Sequence, residues 1–173
     1  MMQKWFDWAL IKAKGGQVFW LNFIFKRILP FNAPHGIRIL ELNEEGVKVR
    51  LPSKRANRNH LKGMHACAIA TACEFCSGLA VLSKFQMNSY RLIMNRLEVD
   101  YLRRAAPGDC LARAEVSNDL KDQILRMIEQ DEKGAARFQM VSTLYDSNGD
   151  AVAVATVHWH VKAWERVQFK PTV

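Results

Sequence analysis

From Met64 to Ser83 almost every residue is Ala, Cys, Ile, Leu, Val, Phe or another small type, and the apolar positions run all the way round a helix. A helix that is apolar on every side has to be buried on every side. Its many small side chains let other elements approach closely. Whatever this chain folds into must therefore enclose this one segment.

The flanking sequence supplies the enclosure. Ile37–Leu42 and Val47–Leu51 alternate apolar and polar residues about a turn at Asn43-Glu44-Glu45-Gly46, which predicts a hairpin with one buried face. After the helix and a loop around Phe85–Tyr90, Arg91–Arg103 alternates again, with Ile93, Leu97, Val99 and Tyr101 expected on one face. A turn at Ala106-Pro107-Gly108-Asp109 leads to a strand over Leu111–Ser117. Ala135–Tyr145 and Ala151–Lys162 form a second hairpin about Asp146-Ser147-Asn148-Gly149. Asp119–Gln130 reads either as a short helix or as a continuing strand. Ahead of all this, Trp5–Leu29 is helical, broken at Gly15-Gly16 and stopped by Pro30 and Pro34. Its aromatic residues are expected to be covered. The order predicts an α+β fold with one helix embraced by one antiparallel sheet.

The length of 173 residues suits a single domain, read as an N-terminal helical extension over 1–32 and a main unit over 33–173. With 49% hydrophobic and 24% charged residues the chain is neither disordered nor low-complexity. Four cysteines make no disulfide scaffold at this length, which points to free thiols in a reducing cytoplasm. The start at Met1–Trp5 lacks a signal-peptide pattern, and the apolar run Val18–Phe25 is too short to span a bilayer. Charge is uneven: residues 1–60 hold 11 Lys/Arg against 4 Asp/Glu, the rest 14 against 13. A basic first third suits contact with an anionic partner, or a solvated face with none.

Glu74 is the only charged residue between His65 and Lys84. A carboxylate in a segment built for burial is costly unless it is paired, hydrogen-bonded or functional. Burial raises its pKa toward the range of a general base. The alternative is a Glu at the one wet edge of the helix. Upstream, Asn57-Arg58-Asn59-His60-Leu61-Lys62-Gly63-Met64-His65 brings two amides and two imidazoles to the helix N-terminus. The first N–H groups there, at Ala66 and Cys67, have no helical partners and suit a developing oxyanion.

Three stretches resemble the hotdog-fold thioesterases, and more narrowly their DUF4442 branch, related to the phenylacetate-pathway thioesterase group. They are Asn59-x5-His65-x8-Glu74, Leu97-Glu98-Val99-Asp100-Tyr101-Leu102-Arg103-x-Ala105-x-x-Gly108-Asp109, and Asp146-x-x-Gly149-x-x-Val152-Ala153. The similarity covers roughly residues 33–163. One departure is Ala66-Cys67 where the family often has Gly-Gly after the His. The resemblance implies a hotdog fold and hydrolysis of a fatty or aryl acyl thioester, with coenzyme A as part of the substrate and no metal or other cofactor. It makes Glu74 the general base or nucleophile and Asn59 the residue orienting water or substrate, and it has the N–H groups after His65 polarise the carbonyl. It also implies a homodimer, or a dimer of dimers, with each site shared between subunits. Coenzyme A phosphates require cations. Arg55, Arg58, Lys62 and Arg103, with Gly63 beside them, are the expected substrate contacts, and Lys54 and Arg104 are their neighbours. A non-catalytic acyl-CoA or acyl-carrier binding module is the competing reading.

Other signals are weaker. Cys73-x-x-Cys76 lies mid-helix without a second pair, so core packing is favoured over redox or zinc chemistry. His158 and His160 share an outer strand face with Thr156 and Lys162. Trp5, Trp8, Phe19, Trp20, Phe23 and Phe25 suit either a membrane-touching patch or, the favoured expectation, packing over the sheet edge or a partner subunit. No nucleic-acid-binding module is recognisable.

Overall fold

The computed structural model describes residues 2–85, 89–117 and 119–168. Helix α1 (Met2–Lys14) and helix α2 (Phe19–Ile28) form an N-terminal hairpin, separated at Gly15-Gly16, where Gly16 takes φ 87°. Strands β1 (Arg38–Leu42) and β2 (Gly46–Leu51) follow, then helix α3 (Ala66–Leu82) and strands β3 (Tyr90–Tyr101) and β4 (Cys110–Glu115). Helix α4 (Leu120–Gln130) precedes β5 (Ala135–Tyr145) and β6 (Ala151–Ala163). The ambiguous segment after Asp119 is thus a helix. Of the loop expected around Phe85–Tyr90, residues 86–88 lie outside the described residues.

The six strands form one antiparallel sheet in the order β1-β2-β4-β5-β6-β3, and α3 packs into its concave side. Eleven residues of α3, from Ala68 to Val81, are buried. The close approach is visible at Gly78, where a Cβ would stand 3.0 Å from two ring carbons of Trp159 on β6. Burial on α3 is nevertheless not complete. Cys67 is exposed and Ala70, Thr71 and Glu74 are half-buried, and the spacing i, i+3, i+4, i+7 makes them one uncovered stripe.

The alternation in β3 also departs from expectation. A bulge between Met94 and Arg96 adds a residue at Asn95, so Leu92 and Met94 face inward with Leu97, Val99 and Tyr101. Ile93 pairs with His160 on the outer face. Simple parity fails here because the extra residue reverses every side chain before it. His158 and His160 do lie on that outer face, between buried Val157, Trp159 and Val161, and His158 Nε2 is 2.7 Å from Glu98 Oε1.

The hairpin α1–α2 closes the β1 edge, and Asn22 is the clasp. Its Nδ2 donates to the Ile39 carbonyl at 2.9 Å and its Oδ1 accepts from the Ile39 N–H at 2.8 Å, as a neighbouring strand would. The polar interruption in the apolar run of α2 thus supplies what an open sheet edge lacks. Phe6, Ala9, Leu10 and Ala13 of α1, with Leu21 and Phe25 of α2, enter the core. Of the aromatic residues expected to pack over the sheet edge or a partner subunit, Phe25 is covered by the hairpin's packing on the β1 edge, whereas Trp5, Trp8, Phe19, Trp20 and Phe23 lie on its other face, exposed in this chain. Asn22→Ala is expected to lower the unfolding free energy by about 2 kcal/mol through loss of the two hydrogen bonds to Ile39 and a third to the Val18 carbonyl. Urea denaturation measures it, and an unchanged midpoint would mean the clasp carries no stability. No helix among the described residues is long and apolar enough to cross a membrane.

Candidate active site

One end of the sheet gathers the polar features of the sequence. The turn before β4 and the turn between β5 and β6 pack against each other. Asp146 accepts from the N–H groups of Asn148 (3.0 Å), Asp150 (3.1 Å) and Ala106 (2.9 Å), and Ser147 Oγ donates to the Pro107 carbonyl at 2.9 Å. These N–H donors hold the Asp146 carboxyl below its ordinary pKa. Gly108, at φ 131°, has Ser147 directly over its α-carbon, so a side chain there is excluded twice over. Asp109 accepts from the Ser53 N–H at 2.7 Å and from Arg50 Nε at 2.6 Å, fixing the start of the 52–65 loop to β4. The second and third resembling stretches are thus two halves of one scaffold.

Within the loop the two asparagines divide the work unexpectedly. Asn57 is fully buried: Nδ2 donates to the carbonyls of His35 (2.8 Å) and Pro52 (2.9 Å), and Oδ1 is 2.9 Å from His35 Nδ1. Its carbonyl accepts from the His65 N–H at 2.8 Å, which sets the entry to α3. Asn59 Oδ1 accepts from the N–H groups of Leu61 (3.0 Å) and Gly63 (3.1 Å), so that oxygen is committed to the turn. The Asn59 amide nitrogen has no hydrogen-bond partner among the described residues. Lys62 closes the turn at φ 60°, a conformation costing a non-glycine residue about 1 kcal/mol.

His65 is the N-cap of α3. Its Nδ1 accepts from the Cys67 N–H at 3.1 Å, so the proton of the neutral ring sits on Nε2. Of the two expected oxyanion donors, Cys67 is engaged by His65. Ala66 has no N–H partner among the described residues. Tyr101, at the end of β3, donates its hydroxyl to the Ala66 carbonyl at 3.0 Å, and burial raises its pKa, which keeps it a donor. Nothing local in the sequence distinguished Tyr101 from its alternating neighbours on the strand.

Glu74 lies at the end of the uncovered stripe. Its carboxylate has no hydrogen-bond or ion-pair partner among the described residues, and burial pushes its pKa up to about 6. Along α3, nine residues separate it from His65, about 13 Å at the helical rise. The two side chains of one chain therefore cannot meet. The expected trio of Asn59, His65 and Glu74 is brought to one helix and its entry loop, but not into mutual contact.

The cations also sort differently from their order in sequence. Arg103 is occupied by Asp150 at 2.7 Å. Arg104 instead lies over Gly63 and donates to the Leu61 carbonyl at 3.0 Å. Arg58 is exposed and donates to Ser53 at 3.2 Å, and Arg55 and Lys62 are exposed beside it. Cys73 and Cys76 are buried free thiols; burial pushes Cys73 up to about 12 and Cys76 further, leaving both inert as nucleophiles.

A protein of unknown function from Pseudomonas aeruginosa, described as a probable thioesterase, superposes with a TM-score of 0.72 at 22% identity, over 82% of this chain and 93% of that one. A thioesterase family protein from Silicibacter pomeroyi gives 0.63 at 22%, over 80% and 93%. A thioesterase from Haemophilus influenzae gives 0.66 at 13%, over 83% and 88%. At these identities the likeness establishes the fold. No curated protein gives a significant sequence match. The model of the domain of unknown function DUF4442 matches residues 19–161, which include α3, the polar loop, strands β1 to β5 and most of β6. The chain belongs to the DUF4442 family, and its antiparallel sheet wrapped about α3 is the hotdog fold.

Proposed function

We propose that this protein is a thioester hydrolase acting on an acyl-coenzyme A, with Glu74 as the general base. The observation that carries the reading is a carboxylate with no partner among the described residues, on the uncovered stripe of a mostly buried helix, with its pKa raised to about 6. A buried carboxylate without compensation is a cost that a structural role does not explain. Glu74 would take a proton from water as the water adds to the thioester carbonyl. The Ala66 N–H at the helix N-terminus would hold the oxyanion, and Asn59 Nδ2 would orient the water or the acyl group. The alternative roles for Glu74, as nucleophile or as part of a non-catalytic acyl-binding site, use the same residues.

The site would be completed across a homodimer. Strand β3 is twelve residues long, lies at the sheet edge and presents Met94 and Tyr101 half in solvent. Such an edge invites pairing with another copy. The distance of about 13 Å between His65 and Glu74 along α3 leaves a second subunit as the source of the missing partner. Four free thiols suit a reducing cytoplasm. A panel of acyl-CoAs assayed for thiol release tests the reading. Turnover supports hydrolysis, whereas tight binding without turnover supports the acyl-binding module. Sedimentation then gives the mass, and a strict monomer with full activity would overturn the shared site.

Arg55, Arg58 and Arg104 would meet the coenzyme A phosphates, whose contacts are the same in ground and transition states. Neutralising Arg55 and Arg58 together is expected to raise KM for acyl-CoA about tenfold or more with kcat largely kept. An acyl-pantetheine substrate, lacking the nucleotide, should show little change. Equal effects on both substrates would remove these arginines from the binding site.

A further inference from the structure

The N-terminal hairpin carries two apolar faces, and only one is used. Phe6, Ala9, Leu10 and Ala13 face the core, while the opposite side of α1 and the outer side of α2 present a continuous aromatic belt to solvent. Ring contacts join it: Trp5 to Trp8 at 6.2 Å, Trp8 to Trp20 at 5.5 Å and Trp20 to Phe23 at 6.5 Å. These are not marginal exposures, since Ile11 is 69%, Phe19 66% and Trp5 58% accessible. A contiguous apolar surface of this kind on a folded domain marks an interaction site.

The charge around the belt selects the partner. Residues 1–38 hold six Lys/Arg and a single acidic residue, Asp7. Lys14 is turned inward to Glu44 at 2.8 Å, whereas Lys26, Arg27 and Arg38 are exposed, and Arg27 stacks on Phe23 at 4.0 Å. A second copy docked through this face about a two-fold axis would set these cations against themselves. An anionic bilayer surface instead accepts aromatic rings at the depth of its headgroups and supplies the missing negative charge. Beside the belt, a cleft of about 490 Å³ between α2 and β1 continues from Phe19 and Phe23 to Phe75, with Lys26, Arg38 and Lys54 in its lining. Apolar walls with three cations are the chemistry of an anionic amphiphile.

We propose that the exposed face of the α1–α2 hairpin docks this protein on a membrane surface rich in anionic lipid, with the aromatic belt seated among the headgroups. This does not rest on the thioester reading, and its readout is binding alone. The full chain is mixed with vesicles of phosphatidylcholine alone and of phosphatidylcholine with phosphatidylglycerol, then separated by flotation. Tryptophan emission is followed in parallel. Binding is expected to the anionic vesicles, with a blue shift of the emission, and to weaken at high salt. Lys26→Gln with Arg27→Gln should lower the partition about fivefold per cation removed. Trp8→Ser with Phe19→Ser should abolish it, while circular dichroism and the melting temperature certify that both variants are folded. Wild-type protein that stays in solution with both vesicle types overturns the proposal. So does binding that these variants leave unchanged, or a lipid-free mass that falls when Trp8 and Phe19 are replaced, which would make the belt a contact between copies.

Discussion

Glu74→Gln is expected to reduce thioester hydrolysis by about 10²–10⁴-fold, the usual contribution of a positioned general base, while making the protein more stable at neutral pH. The two effects have one cause. Burial holds the folded-state pKa at about 6 against an ordinary value of 4.5. Between those values the folded state binds more protons than the unfolded one, so stability falls as pH rises. Above about pH 6 the full penalty of the ionised, half-buried carboxylate is present, about 2 kcal/mol for a shift of this size. The neutral amide removes it. The stability gain of Glu74→Gln should therefore appear at pH 7 and fade below about pH 4.5. Wild-type kcat/KM should rise with pH through about 6, because only the carboxylate accepts a proton, and the residual rate of the variant should lack that inflection. Denaturation curves at both pH values and a pH–rate profile measure it. A variant that loses stability at pH 7 would show that Glu74 is a structural group with a partner. One that keeps full turnover would end its assignment as base.

Trp159→Ala is expected to cost about 3–5 kcal/mol, the range for deleting a large buried aromatic side chain. The indole is 4% accessible and spans from β6 to α3, where Nε1 donates to Ser77 Oγ at 3.2 Å and the ring lies over Gly78. Ser77 Oγ in turn donates to the Glu74 carbonyl at 3.0 Å, so the ring supports the turn of helix that carries the carboxylate. Gly78→Ala tests the same contact from the other side. Alanine gains about 1 kcal/mol of helix propensity, but its methyl would meet two ring carbons at 3.0 Å, and overpacking of about 1–3 kcal/mol outweighs the gain. Trp159→Phe removes those carbons. Gly78→Ala should then be better tolerated in the Trp159→Phe background, with a coupling above about 0.5 kcal/mol. Additive effects would mean the backbone separates α3 from β6 and the close approach is dispensable.

The turns that frame the candidate site were visible as Gly- and Asp-bearing motifs, but their reason was not. Asp146 and Ala106 are forty residues apart, and the bond between them exists because β4 and β5 are neighbours in the sheet. The loop asparagines show the same limit. Asn57 and Asn59 differ little in local sequence. One is fully buried between His35 and Pro52, and the other is bound to its own turn. Arg103 and Arg104 are adjacent, yet a carboxylate contributed by the β5–β6 turn takes the first and leaves the second to the loop.

By itself the sequence determined the enclosed helix, the alternating strands, both hairpin turns and the isolated position of Glu74. All of these follow from short-range periodicity: a helix apolar all round, or a strand apolar on alternate residues, has a single way to remove its surface from water. Tertiary structure alone decided the bulge that turns Ile93 outward, the engagement of the Cys67 N–H by His65, the uncovered stripe that carries Glu74, and the exposed aromatic face of the hairpin. Each of these depends on which surfaces remain once the sheet has closed. A periodic pattern states that a face is apolar, and only the arrangement of all the elements settles whether anything in the same chain is left to cover it.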